Sequence, residues 1–218
     1  MISYKDNHDL LDICKLTPVI PVLVVDDTAK AVPLAKALIG GGLRVLEVTL
    51  RTENALDVIK EMAASTTEGI IGAGTLLSKE DVYAAKNAGA SFGVSPGITD
   101  QILKACAEVK LPLLPGAATP SEVMNLLAKG YSVQKFFPAE SNGGVAALKS
   151  MLGPIPEVSF CPTGGVTSTN ALGYLSLKNV PCVGGSWIAP ENKIKTADWQ
   201  AITELARRAY ALNKHLNG

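Results

Sequence analysis

The chain has 218 residues, 47% of them hydrophobic and only 18% charged, which supplies one substantial core and fits a single domain over 1–218 better than two. Lys plus Arg equal Asp plus Glu at 20 each and no block of like charge occurs, so the charge pattern predicts neither a nucleic-acid nor an anionic-membrane partner. A small molecule is the expected ligand.

The opening MISYKDNHDLLDICKL lacks the apolar stretch of a signal peptide and predicts a short helix around Asp9 to Lys15. Eight apolar runs of strand character follow: VIPVLVV from Val19, VLEVTL from Val45, IIGAGTL from Ile70, SFGVSPG from Ser91, LPLLPGA from Leu111, YSVQKFFPA from Tyr131, VSFCPTGG from Val158 and VPCVGGSWI from Val180. The first is broken by Pro21 and falls far short of the roughly 20 residues that span a bilayer. Between the runs lie Ala-rich, helix-periodic stretches such as TAKAVPLAKALIGGG and SKEDVYAAKNAGA, several of them closed by glycine. This alternation specifies a parallel sheet, and the strand count predicts an α/β fold of the (β/α)8 TIM-barrel type with a short N-terminal helix. An open doubly wound sheet, with fewer strands, is the alternative.

Cys14, Cys106, Cys161 and Cys182 are widely spaced and form no C-x-x-C pair. They are expected to be buried thiols of a cytoplasmic protein, not a disulfide framework or a zinc site. The two histidines, His8 and His215, lie at the termini, so neither a His-rich metal centre nor a Ser-His-Asp triad is expected at the strand ends. A Mg²⁺ site has little to draw on, Glu47 being the one acidic residue well inside a strand and Glu140 lying just past the sixth. No metal and no other cofactor is expected.

A barrel puts its active site at the C-terminal ends of the strands, so polar residues late in each run are the candidates. Side chains alternate faces along a strand. In the second run Leu46, Val48 and Leu50 form the apolar face that should meet the helices, which turns Glu47, Thr49 and Arg51 inward. In the sixth, Tyr131, Val133, Lys135 and Phe137 share a face, with Lys135 near the strand's end. A lone strand lysine is ordinarily an exposed edge residue, but a closed barrel has no edge. Only a neutral amine attacks a ketone, and burial disfavours the ammonium form, so an interior lysine is a candidate covalent nucleophile. Glu47 then suits the role of general acid and base. The bland alternative for Glu47 and Arg51 is a structural ion pair.

The seventh and eighth runs end in Thr163-Gly164-Gly165 and Gly184-Gly185-Ser186, where strand should give way to helix. Glycines there let backbone N–H groups approach an anion, and barrels of this kind often bind phosphate in the loops after these two strands. The alternative is ordinary turn glycine. Neither loop is a P-loop or a dinucleotide fingerprint.

With EVTLRT (Glu47 to Thr52), GAGT (Gly72 to Thr75), VSPG (Val94 to Gly97), PGAATPSE (Pro115 to Glu122), KFFPAE (Lys135 to Glu140), PTGGV (Pro162 to Val166) and GGSW (Gly184 to Trp187), the chain resembles the 2-keto-3-deoxy-6-phosphogluconate aldolases over essentially its whole length. The resemblance implies a class I aldolase in which Lys135 forms a Schiff base with the substrate ketone and Glu47 moves the protons. It implies that Arg51 and Thr75 hold the pyruvate carboxylate, Phe137 packs against the intermediate and Pro96 lines the pocket. It assigns the phosphate to Gly164, Gly165 and Ser186 and the sugar portion to Thr163.

It further implies pyruvate as product, action on 4-hydroxy-2-oxoglutarate, a homotrimer and a place in the Entner-Doudoroff pathway. Thr163 favours the gluconate-derived substrate, since the related galactonate-type enzymes tend to differ there. The competing readings are a galactonate-type phospho-keto-acid aldolase, a phosphosugar epimerase or isomerase barrel, working without a covalent lysine, and a non-catalytic phosphosugar-binding barrel.

Overall fold

The helices start where short polar signatures satisfy their first free N–H groups. Ser78 and Asp81 form a reciprocal capping box at one start, Thr119 and Glu122 another with Pro120 in the first turn, and Thr99 accepts from the backbone N–H of Ile102 at a third. Gly89 and Gly130, with φ of +96° and +94°, follow the C-terminal ends of two of these helices and turn the chain out of them.

A computed structural model describes the backbone of residues 4–212 and the side chains from residue 10 onward; His215 and the side chain of His8 lie outside the described residues. In chain order the elements are α1 (Tyr4–Lys15), β1 (Val19–Leu23), α2 (Ala31–Gly40), β2 (Val45–Thr49), α3 (Ala55–Ser65), β3 (Ile70–Gly74), α4 (Lys79–Asn87), β4 (Phe92–Val94), α5 (Asp100–Glu108), β5 (Leu113–Leu114) and β6 (Gly116–Ala117). They continue as α6 (Pro120–Ala128), β7 (Val133–Phe136), α7 (Gly144–Leu152), β8 (Ser159–Pro162), α8 (Ala171–Leu175), β9 (Val183–Gly185), α9 (Glu191–Lys195) and α10 (Trp199–Tyr210). No helix among the described residues is long and apolar enough to cross a membrane.

Each of the eight apolar runs contains a strand, and every pairing is parallel. The strands form a six-stranded sheet in the order β5-β4-β3-β2-β1-β9 and a three-stranded sheet in the order β6-β7-β8. The fifth run is divided because Pro115, which has no N–H to donate, separates β5 from β6. An isolated parallel bridge pairs Thr163, just past β8, with Gly184 of β9. The fold is therefore α/β with parallel sheets, as the alternation requires.

Two apolar clusters follow from strand parity. The larger packs one face of the strands, including Leu46, Val48, Phe136 and Phe160, against the helices. The smaller takes the other face, with Ile20, Val45, Phe92, Val94, Leu114, Val133, Cys161 and Cys182, and is joined by Leu10 and Cys14 of α1. Val45 and Val133 are the first residues of their strands, so α1 covers the N-terminal side of this interior and leaves the C-terminal side to the polar residues. Gly72 admits the Phe92 ring; a Cβ there would collide with it.

Two parity assignments need correction. Arg51 lies two residues past the end of β2 and is exposed, so the alternation that turns Glu47 and Thr49 inward does not extend to it. Tyr131 does not share the inward face with Val133, because β7 begins only at Val133 and Tyr131 packs in the helix-side cluster. All four cysteines are buried and free, as their spacing suggested.

Candidate active site

Glu47 and Lys135 lie on β2 and β7, which belong to different sheets, yet their side chains meet in the interior. Lys135 Nζ stands 3.5 Å from Glu47 Oε1, and the two side chains are only 6% and 4% exposed. The same Nζ is 5.2 Å from the centroid of the Phe137 ring, within cation–π range. A buried pair of this kind is weak evidence for stability, because desolvation offsets most of the Coulomb attraction; it marks a place where the fold tolerates charge.

Local sequence makes the room. A Cβ on Gly74, the second glycine of GAGT, would overlap the Glu47 carboxylate, so that position has to lack one. Gly116 pairs in register with Lys135, and a Cβ there would strike the carbonyl of Pro96. Pro96 is thereby held beside the lysine strand. Its neighbour Ser95, which no sequence argument singled out, fixes that turn with a hydroxyl whose one proton is shared between the carbonyls of Leu76 at 2.8 Å and Gly97 at 2.5 Å.

Thr49, the inward residue after Glu47, is fully buried and donates its hydroxyl to the Leu23 carbonyl at 2.8 Å, tying β2 to β1 at the strand ends. Arg51 follows the end of β2 and is exposed. Its Nε donates to Thr75 Oγ1 at 3.3 Å, so the two residues assigned to a carboxylate are already joined. Thr75 sits just past β3 with φ +65°, a left-handed conformation rare for a β-branched residue and a small local strain. Among the described residues no ion pair joins Arg51 to Glu47; the partner of Glu47 is Lys135, which removes the structural Glu47–Arg51 pair as a reading.

The glycine loops lie together. Thr163 is paired with Gly184, whose missing Cβ leaves space for the Thr163 hydroxyl. Gly164 and Gly165 have φ of +97° and +77°; Gly164 faces Phe137 and Pro138, and Gly165 faces the methylenes of Glu140. Gly185 lies under the Trp187 ring, and Ser186 follows at the end of β9. The KFFPAE segment thus carries Lys135 at one end and abuts the Thr163-Gly164-Gly165 turn at the other.

Two participants escaped the sequence. Glu140 was noted only as a carboxylate past the sixth run and Tyr174 not at all, yet the Tyr174 hydroxyl donates to Glu140 Oε1 beside that turn. Their separation of 34 residues carries no local signal.

The arrangement can form and break a carbon–nitrogen bond: a buried amine, a carboxylate within proton-transfer reach, an Arg–Thr pair and a turn with positive-φ glycines converge on one side of the sheets. Comparison with known proteins agrees. The family model "Aldolase: KDPG and KHG aldolase" matches residues 10–205. The 2-dehydro-3-deoxy-phosphogluconate aldolase of Pseudoalteromonas atlantica is 52% identical over 92% of this chain and 93% of its own. The KHG/KDPG aldolase of Escherichia coli strain K12 is 50% identical over 88% and 90%. Among solved structures, the KDPG aldolase of Legionella pneumophila, with pyruvate captured at low pH as a covalent carbinolamine intermediate, superposes with a TM-score of 0.89 at 45% identity, covering 92% of this chain and 97% of its own. The chain belongs to the KDPG and KHG aldolase family.

Proposed function

We propose that the chain is a Schiff-base aldolase that cleaves 2-keto-3-deoxy-6-phosphogluconate to pyruvate and glyceraldehyde 3-phosphate, and 4-hydroxy-2-oxoglutarate to pyruvate and glyoxylate. The observation that carries this is the buried Lys135–Glu47 pair, 3.5 Å apart in the interior between the two sheets. Family membership supplies the reaction class, lyase. Both substrates share the pyruvate half, on which the chemistry acts.

Glu47 Oε1 is close enough to take the proton that Lys135 Nζ must lose. The neutral amine adds to the C2 ketone, and Glu47 gives its proton to the carbinolamine hydroxyl, which leaves as water and yields a protonated imine and the Glu47 carboxylate. The Glu47 carboxylate then takes the C4 hydroxyl proton. The C3–C4 bond breaks, its electron pair enters the iminium to form an enamine, and the C4 carbon leaves as the aldehyde. Glu47 returns the proton to C3, and water releases pyruvate by hydrolysing the imine.

Arg51 and Thr75 hold the carboxylate, a charge-assisted task suited to a guanidinium. Phe137 packs against the intermediate and Pro96 lines the pocket. Thr163 meets the sugar hydroxyls, and Gly164, Gly165, Gly185 and Ser186 supply N–H and hydroxyl donors to the phosphate.

The two sheets are read as one closed (β/α)8 barrel. Support comes from β5 and β6 being separated by Pro115 alone and from the Thr163–Gly184 bridge between β8 and β9. The barrel is taken as a single domain over 1–218. The family reading also carries a homotrimer, a place in the Entner-Doudoroff pathway and a cytoplasmic location, the last in keeping with four buried free thiols.

Borohydride reduction in the presence of pyruvate tests the chemistry. Mass spectrometry is expected to find a reduced pyruvyl adduct on Lys135 and none in Lys135→Met; an unlabelled parent protein overturns the proposal.

A further inference from the structure

Glu140 closes a connection between the Schiff-base strand and the glycine turn after β8. Three contacts make it. Its backbone N–H donates to the Gly164 carbonyl at 3.1 Å, next to the bond from Ala139 N–H to the Thr163 carbonyl at 2.8 Å. Its Cβ and Cγ fill the space over Gly165, where a glycine Cβ would otherwise sit. Its carboxylate accepts the hydroxyl of Tyr174, a fully buried residue of α8, the helix that follows the turn. The turn is held from the other side by Asn170, whose side-chain N–H₂ donates to the Gly165 carbonyl at 3.1 Å.

A carboxylate beside a phosphate site repels the ligand unless another group holds and partly neutralises it. Tyr174 does so: burial first, and the hydrogen bond to Glu140 second, push its phenol above the ordinary tyrosine range, so it remains a donor at every physiological pH. The hydrogen bond keeps the carboxylate directed at α8 and its methylenes against Gly165. The N–H groups of Gly164 and Gly165 are held in their positive-φ geometry by the same contacts.

We infer that Glu140 and Tyr174 are positioning residues that set the phosphate-binding turn in register with Lys135 and so confer preference for a phosphate monoester at the far end of the keto acid. The inference rests on the aldolase reading and on the assignment of that turn to phosphate. It separates two substrates that share every other step, because 4-hydroxy-2-oxoglutarate has no phosphate for the turn to hold.

Tyr174→Phe and Glu140→Ala are the variants, and steady-state cleavage of both substrates is the measurement. Each variant is expected to raise KM for the phosphorylated substrate about 10-fold, the effect of losing one charge-assisted hydrogen bond. Each should leave kcat/KM for 4-hydroxy-2-oxoglutarate within about twofold, on the same estimate. Inorganic phosphate, used as a competitive inhibitor of 4-hydroxy-2-oxoglutarate cleavage, should weaken in parallel, and this gives a reading even if one variant is too unstable for full kinetics. An equal loss on both substrates, which a merely structural role produces, overturns the inference, and so does no change on the phosphorylated one. Failure of the aldolase reading itself is distinguishable, since the parent protein would then trap no pyruvate.

Discussion

The buried pair makes a quantitative prediction about stability. Lys135→Met removes the cation and leaves Glu47, 4% exposed in its side chain, without a partner. Removing one partner of a buried ion pair leaves an uncompensated charge and costs about 3–5 kcal/mol. Glu47→Gln leaves the Lys135 cation without its partner, and a loss of about the same size is expected.

The double variant Lys135→Met, Glu47→Gln contains neither charge, and its loss should stay within about 1.5 kcal/mol, the scale of a near-isosteric swap. The two single losses should therefore exceed the double loss by at least about 4.5 kcal/mol in sum, which is the pairwise coupling.

Urea unfolding followed by circular dichroism at one fixed pH and one fixed protein concentration measures all of this. Single variants that each lose under about 1 kcal/mol and add without coupling would refute the desolvated pair.

The remaining predictions concern the glycine turn and the thiols. Gly164→Ala places an L side chain at φ +97° with its Cβ about 3.1 Å from Pro138 Cα, so a loss of about 1–2 kcal/mol in urea unfolding is expected. KM for the phosphorylated substrate should rise at least about 10-fold with the lost donor geometry, and an unchanged KM would remove the turn from phosphate binding. Cys182 is raised well above the usual thiol range, first by hydrogen bonding to Cys14 and Cys161 and then by burial, while burial pushes Cys106 up to about 12. Ellman's reagent at about pH 8 should therefore find almost no reactive thiol in the native protein and all four in concentrated guanidinium; rapid native labelling would contradict the packing. Because the unfolded Cys106 ionises near 9 and the folded one near 12, its contribution is complete below pH 9 and is withdrawn as pH climbs through that window, by about 4 kcal/mol. Cys106→Val should flatten that part of the alkaline stability profile.

Much of the site was legible because strand parity is strict. The inward direction of Glu47, Thr49 and Lys135 follows from alternation once the apolar face of each run is assigned to the helices, and the burial of all three agrees. Parity failed at Tyr131 and at Arg51, because it holds only inside the strand: β7 starts two residues after Tyr131, and β2 ends two residues before Arg51. Pairing was less legible than direction. A residue's face depends on its own strand, whereas its partner depends on how distant strands are brought together, so Arg51 met Thr75 rather than Glu47.

Composition, periodicity and capping signatures by themselves determined the parallel α/β alternation, the helix boundaries near Ser78, Thr99 and Thr119, and the residues that could carry chemistry. These are local properties, decided within a few residues of chain by propensity, face alternation and the satisfaction of backbone N–H groups. The tertiary structure alone decided that Lys135 and Glu47 stand 3.5 Å apart across 88 residues of sequence, that Arg51 joins Thr75, and that Tyr174 holds Glu140 against the Gly164–Gly165 turn. Such contacts depend on which strands become neighbours and how the helices seat on them, and the free energy that selects them comes from burying the whole apolar interior at once.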